Sequence, residues 1–443
     1  MIYMTSAYSP LMLLVVLLVV ALPHDVSART FFFSKEGVGN GNGSRVRPYN
    51  KLEYIKKIKL VAGDKVVICG IGFKEQVLEL RGSGMPDMPI VVTGEGDRKP
   101  QVKGVYYRSF MGAGGWDISD LKIVNDAGNG VDVEKISGLS LKNIQIERSA
   151  GHGIYIHGSM SIKIDQVVVR DSGRNGMLIT ASDDVVVSNS YVENSGIKIG
   201  SHNVDGIAIQ GGDSVYVIDT ISANNETTLS SGFDTAGESD KQSVFIRCVS
   251  YGNAENGFSF KGGEGFNSLI SGCLSVDNKN GVEVGNGQNV IVTDNILYDN
   301  YNCGVKLNSG GNTVLFSNFI WNNSRPSTFV GAQLAIDHRV EDISFLTSNC
   351  NIVGSEYDSH IYYHSKHGSY SLREWQKVSG KDRYSSDLKP ALNEKYSSVD
   401  FRRYDMESKV CQDELDILNF TSGDEYNLLS WKVKDYKTIF IKQ

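Results

Sequence analysis

Proline is scarce, at 8 of 443 residues, while glycine reaches 47. That imbalance excludes a collagen-like chain and a proline-rich disordered one, and it points to many tight turns at regular places. Six cysteines in so long a chain do not make a disulfide framework, and no CxxC or clustered His/Cys spacing suggests zinc. There is no basic tract, and the net charge is −7, which argues against general nucleic-acid binding. Long apolar runs are missing too, apart from "LMLLVVLLVVAL" at Leu11–Leu22, whose twelve residues are short for a bilayer. "VSA" at 26–28 follows with the small–x–small pattern of a signal-peptidase site, although the residues before the run lack Lys and Arg. Residues 1–28 are therefore expected to be a signal peptide, leaving a secreted chain without a stable membrane span. Four Asn-x-Ser/Thr sequons, at Asn42, Asn225, Asn322 and Asn419, would make it a glycoprotein in a eukaryotic host.

The glycines are periodic. "GVDVEK" (130), "GIYIHG" (153), "GMLITA" (176), "GIAIQG" (206), "GFDTAG" (232), "GFSFKG" (257), "GVEVGN" (281) and "GVKLNS" (304) recur at intervals of 23, 23, 30, 26, 25, 24 and 23 residues. Each unit holds a second β-rich run and no room for a useful helix. Two further columns align: Asn143, Gln166, Asn189, Asp219, Cys248, Cys273, Asn295, Asn318, and, five residues later, Arg148, Asp171, Asn194, Asn224, Asn253, Asn278, Asn300, Asn323. Stacked Asn amides can hydrogen-bond from rung to rung, and Asn tolerates a left-handed corner. The pattern predicts a parallel β-helix whose coils stack at about 4.8 Å. Cys248 and Cys273 are expected as a buried thiol pair in one column, with a disulfide as the alternative.

On these residues the sequence resembles the secreted right-handed parallel β-helix superfamily of pectate lyases and related polysaccharide enzymes. "TFFFSKEGVGNGNGS" followed by "VAGDKVVICGIGFKEQVLELRGSGMPDMPIVVTGEGDRKPQVKG" is similar to the leader that opens many of them, and "YSLREWQKVSGKD" (370–382) to a segment after their last coil. The resemblance implies an all-β, right-handed, single-stranded parallel β-helix with an N-terminal capping helix and a mixed C-terminal tail. The expected organisation is leader and cap over 29–104, with the helix at "YNKLEYIKKIKL", coils over 105–365, and a C-terminal extension over 366–443. Because the superfamily hosts lyases, hydrolases, epimerases and non-enzymes, activity has to be argued from the site.

The apolar residues one and three places after each glycine form the core, so those two and four places after it are expected on an exposed face. The second-place column is Asp132, Tyr155, Leu178, Ala208, Asp234, Ser259, Glu283, Lys306; the fourth-place column is Glu134, His157, Thr180, Gln210, Ala236, Lys261, Gly285, Asn308. Asp234 and Lys261 then stand roughly 8 Å apart at Cα. The longer intervals, with His202, Asp205 and Glu238, would wall a cleft over this face.

Three chemistries fit. In β-elimination from a uronic-acid polymer a base removes the proton α to a carboxylate while a cation neutralises that carboxylate. Asp205, Asp234, Glu238 and Glu255 are the candidate calcium ligands, Lys261 is the candidate base with its pKa lowered, and Lys306 is the fallback. One pectate-lyase family is similar in setting a calcium cluster of acids beside a lysine base; the matching "NAENGFS" keeps Glu255 but has Asn256 and Ser259 where acids would stand. C5 epimerisation starts with the same proton abstraction, and mannuronan epimerases resemble "SGFDTAG"; Asp234 is kept, with Ser231 for their Tyr and Ala236 for their His. Glycoside hydrolysis would pair Asp234 with Glu283, about 9.6 Å apart at Cα, at the upper end of an inverting pair. His202, Gln210 and Tyr155 are candidate substrate contacts. The expected partner is an acidic polysaccharide met by a monomer, with β-elimination as the leading activity and a non-catalytic carbohydrate-binding or cell-surface protein as the alternative.

Overall fold

Coiling begins where the first apolar alternation begins. The computed structural model describes residues 28–387, except for 38–40, 109–113, 198–203, 226, 228, 237–241, 263–266, 286–288, 309–310, 325–331, 338–342, 357–360 and 365–366. One sheet stacks thirteen parallel strands from Thr30–Ser34 to Leu346–Asn349, each bonded to its counterpart one coil away. Strands Thr30–Ser34, Lys65–Cys69 and Ile90–Glu95 already belong to it, so parallel stacking precedes residue 105. Two further rows run alongside. One holds the short strands that follow the repeat glycines, such as Ile207–Gln210, Phe233–Ala236 and Asn256–Phe260; the other holds strands such as Ile221–Ala223 and Val249–Tyr251. This is a parallel β-helix.

The post-glycine alternation sets the core. Val131, Val133, Ile154, Ile156, Met177, Ile179, Ile207, Ile209, Phe233, Thr235, Phe258, Phe260, Val282, Val284, Val305 and Leu307 are fully buried. Phe233 and Phe258 stack with centroids 4.8 Å apart and planes 5° from parallel. Glycine leads each strand because the next coil crowds it. A Cβ on Gly232 would lie 2.2 Å from Ser250 Oγ and 2.9 Å from the Gly257 carbonyl oxygen.

The two corner columns each prove to be two columns, offset by one residue. Arg148, Asp171, Asn194, Asn224, Gly252, Asp277, Asp299 and Asn322 hold the left-handed corner, with φ between 51° and 65°. The next residue turns inward. There Asn225, Asn253, Asn278, Asn300 and Asn323 form a buried amide ladder with Nδ2–Oδ1 distances of 2.7, 2.8, 3.3 and 2.7 Å. The expected column therefore starts on the corner and slips onto the ladder between Asn224 and Asn253. The other column slips likewise between Asp219 and Cys248: Asn143, Gln166, Asn189 and Asp219 are left-handed corners, while Cys248, Cys273, Asn295 and Asn318 are buried. Short polar residues suit both positions, so composition hides the step. Cys248 and Cys273 are free buried thiols on adjacent coils, and the Cys248 amide donates to Cys273 Sγ at 3.2 Å.

A short helical segment lies in the leader and another after the last coil. The N-terminal helix is a short 3-10 segment, Leu52–Lys57, with Leu52 and Ile55 in the core beside Phe33. At the other end Tyr362–His364 pairs with Gly368–Tyr370 antiparallel, which ends the parallel series. The helix Leu372–Ser379 follows, with a Ser371/Glu374 capping box and left-handed Gly380. Its Trp375 is buried, stacks on Tyr362 at 4.9 Å and donates to Asp382 Oδ2 at 3.0 Å. Among the described residues no helix is long and apolar enough to cross a membrane. The proposed signal peptide and residues 388–443 of the C-terminal extension lie outside the described residues.

Candidate functional site

Asp234 is placed by the ladder. Ala208, Asp234, Ser259, Glu283 and Lys306 are in direct register on successive coils. Lys261, two residues beyond Ser259, reaches back so that its Nζ lies 3.3 Å from Asp234 Oδ1. The expected juxtaposition of Asp234 and Lys261 on one outer wall is therefore present.

The wall is not open as expected. Asp234 is 8 % exposed, Glu283 6 % and Asp205 5 %. Alternation decides which way a side chain points, and neighbouring groups decide whether it is then covered. Here the residue before each glycine covers it. Asn256 donates to Glu283 Oε2 at 2.6 Å, while Asn308 and Lys306 donate to Oε1 at 2.6 and 2.9 Å. Asn280 Nδ2 in turn donates to Asn256 Oδ1 at 2.8 Å. Asp205 occupies that same pre-glycine column two coils below Asn256 and one below Asp234, and its Oδ1 accepts the Ser231 N–H at 2.8 Å. That position brings Asp205 beside Asp234.

Burial and this grouping sort the charges. Burial, then the neighbouring Asp234 carboxylate, push Asp205 up to about 8, against the Ser231 N–H and the Lys261 charge. Burial also raises Asp234, although Lys261 and the Ser259 hydroxyl oppose it. Glu283 goes the other way: burial would raise it, but Lys306, Asn308 and Lys261 together hold it below the usual carboxylate range. For Lys261 burial favours the neutral amine, yet Asp234, Asp205 and Glu283 outweigh it and its pKa rises. Lys306 is raised in the same manner, chiefly by Glu283. The lowering expected for a lysine base is thus reversed, because three carboxylates surround an amine that is only partly desolvated.

The remaining candidates are dispersed. Both oxygens of Glu255 accept from Lys279 Nζ at 2.9 Å. Among the described residues no three His, Cys, Asp or Glu side chains converge as metal ligands would. Gln210 is exposed one coil below Asp234, in register with Ala236. Tyr155 lies three coils below Asp234 in its column, half-buried between His152 and His157. His202 and Glu238 lie outside the described residues. Glu283, held by a lysine and two amides, is a fixed anion; the pair of neighbouring buried carboxyls is Asp205 with Asp234. The sequence carried a signal for that pair. The pre-glycine column (Asn175, Asp205, Ser231, Asn256, Asn280) lies beside the second-place column, and reading the two together puts the acids next to each other.

No curated protein matches the chain in sequence. Solved structures are similar to it at low identity. The structure titled pectate lyase Pel9A is 15 % identical, with 77 % of this chain and 78 % of that one covered and a TM-score of 0.41. A rhamnogalacturonan lyase is also 15 % identical, covering 78 % and 89 %, with a TM-score of 0.40. The A-module of mannuronan C-5 epimerase AlgE4 from Azotobacter vinelandii is 15 % identical, covering 75 % and 94 %, with a TM-score of 0.43. Residues 129–283 match the family model described as "Right handed beta helix region". That match spans the coils that carry Asp205, Asp234, Lys261 and Glu283 and agrees with the parallel β-helix of the structure.

Proposed function

We propose that this protein is a secreted enzyme acting on a uronic-acid-containing polysaccharide, and that Asp205, Asp234 and Lys261 carry its reaction. The observation behind this reading is the buried Asp205–Asp234 pair with Lys261 at its mouth. Environments that push neighbouring titratable groups apart assign an acid and a base. Asp205 is the acid, neutral at pH 7. Asp234 is the carboxylate base, made more basic than usual by burial. Lys261 stays protonated and supplies positive charge where the substrate's carboxylate would lie. The base role expected for Lys261 therefore passes to Asp234.

In β-elimination Asp234 takes the proton α to the uronate carboxylate, and Lys261 stabilises the enolate-like charge that develops. Asp205 protonates the leaving glycosidic oxygen as its bond to the ring breaks. The electrons of the broken C–H bond become the new double bond, and no outside reagent is consumed. Calcium would supply similar charge neutralisation, but Lys261 already stands beside Asp234 and Glu255 is tied to Lys279. Activity is expected to persist in EDTA.

The test is to incubate the protein with pectate, alginate and glycosaminoglycans and to assay unsaturated ends by ultraviolet absorbance. Asp234→Asn is expected to lower turnover about 10³-fold. Activity is expected to decline above about pH 8 as Asp205 ionises. Glycoside hydrolysis is the second reading, favoured by the same acid–carboxylate pair. New reducing ends without unsaturated product would select it, and no product from any polymer would sink both.

A further inference from the structure

The repeat builds a second polar cluster of similar layout four coils below Asp234. The register Asp132–Tyr155–Leu178–Ala208–Asp234 puts Asp132 on the same wall, about 19 Å from Asp234. Asp132 takes the second place after its glycine, as Asp234 does. Asn129 takes its pre-glycine place and donates to Asp132 Oδ2 at 3.0 Å. On the next coil His157 stands where Lys261 stands above Asp234. Arg108 Nη2 lies 3.5 Å from Asp132 Oδ2 and its Nε 3.9 Å from Glu134 Oε1, with the arginine side chain mostly exposed.

This cluster has hydrogen-bonding capacity that the protein does not use. The Asp132 side chain is mostly buried, with 12 % of its surface exposed. Its Oδ1 has no hydrogen-bond partner in the protein, nor do the buried Nδ1 atoms of His152 and His157. Burial and the nearby Arg174 push His152 down to about 4, so its ring is neutral at pH 7 and can accept as well as donate. The Tyr155 ring stacks between these imidazoles, with centroids 5.7 and 6.2 Å away. Buried polar atoms left unpaired are costly, and a ligand carrying several hydroxyls would pair them. A carboxyl edged by an amide, a guanidinium and aromatic rings suits a sugar ring, whose vicinal hydroxyls donate to the carboxyl oxygens and accept from the guanidinium.

We infer that Asp132, Glu134, Arg108, His152, Tyr155 and His157 form a second, non-catalytic sugar-binding site that holds a distant sugar residue of the polymer cleaved at Asp234. The inference rests on the reading of this wall as a polysaccharide site, and it adds a direction: the polymer lies along the stack, across the second-place column. Arg108 is the movable part, because its exposed side chain can swing from Asp132 to a ligand oxygen.

The test is affinity electrophoresis of the full chain in gels containing pectate, alginate or a glycosaminoglycan, read as a dissociation constant. Wild type is expected to be retarded by at least one polymer. Asp132→Asn, a near-isosteric change, should weaken that binding about tenfold, the worth of one hydrogen bond to a charged group. His157→Gln, checked for an unchanged melting temperature, provides a second variant expected to weaken binding. Retardation of both variants equal to wild type would overturn the site, and so would a wild type retarded by none of the polymers. Retention that depends on Asp132 without any reaction product would keep the site and remove the catalytic reading instead.

Discussion

Single residues on this wall behave differently because each sits in its own field. Asp205 titrates near 3.8 in an unperturbed carboxyl and at about 8 when folded. Between those values the folded chain holds a proton that the unfolded chain has released, so stability falls as pH rises through that window. Asp205→Asn is expected to flatten this slope and to raise the melting temperature above pH 7, measured by thermal melts across the window. Glu283 has the opposite sign. Its folded pKa is lowered, so its stabilising contribution is present at neutral pH and is lost on acidification. Glu283→Gln should reduce the loss of stability at the acid end of the same melts. The sequons also separate by environment. Asn225 is fully buried in the amide ladder and Asn322 is 3 % exposed, whereas Asn42 is exposed. A glycan on Asn225 would remove a donor that the ladder needs. Mass spectrometry of protein secreted from a eukaryotic host is expected to find, among these three, a glycan at Asn42 alone.

Among elements, the inner Asn ladder does what a sheet edge cannot do inside a corner: it pairs buried backbone N–H groups that the strands leave free. Asn278 Oδ1 accepts from both the backbone and the side chain of Asn253, and its Nδ2 donates to Ser250 O and Ser275 Oγ. Asn278→Ala removes these at once and strands the Asn253 amide. Chemical denaturation is expected to show a loss of about 2–4 kcal/mol, a few unpaired buried groups' worth. This element also shows how far periodicity can be read. The glycine and core columns were legible, because a slip of one residue there would put Phe233 and Phe258 in water. The corner columns were not. Asn224 and Asn225 differ in backbone angle and burial but not in residue type, so alignment by composition could not choose between them. The carboxyl pair was half legible: Asp234 stood out among small neighbours, while Asp205 was expected as a calcium ligand and not as a carboxyl raised by burial beside it.

At the scale of the molecule, coils stacked on one continuous core leave two open ends, and each end is a template for unwanted strand pairing. The closing helix guards the C-terminal one. Trp375→Ala is expected to cost about 3–5 kcal/mol and to promote self-association, read by denaturation and light scattering. The sequence by itself determined the repeat, the inward apolar columns, the stacking order and hence which charged residues share a wall, because a period-two strand pinned by glycine leaves one register that buries its core. Only the tertiary structure decided that Glu283 is covered by a pre-glycine amide, that the surrounding acids raise the Lys261 pKa, and that Asp205 and Asp234 are both buried. Those outcomes depend on burial and on the sum of fields from several coils, and neither is written in any one of them.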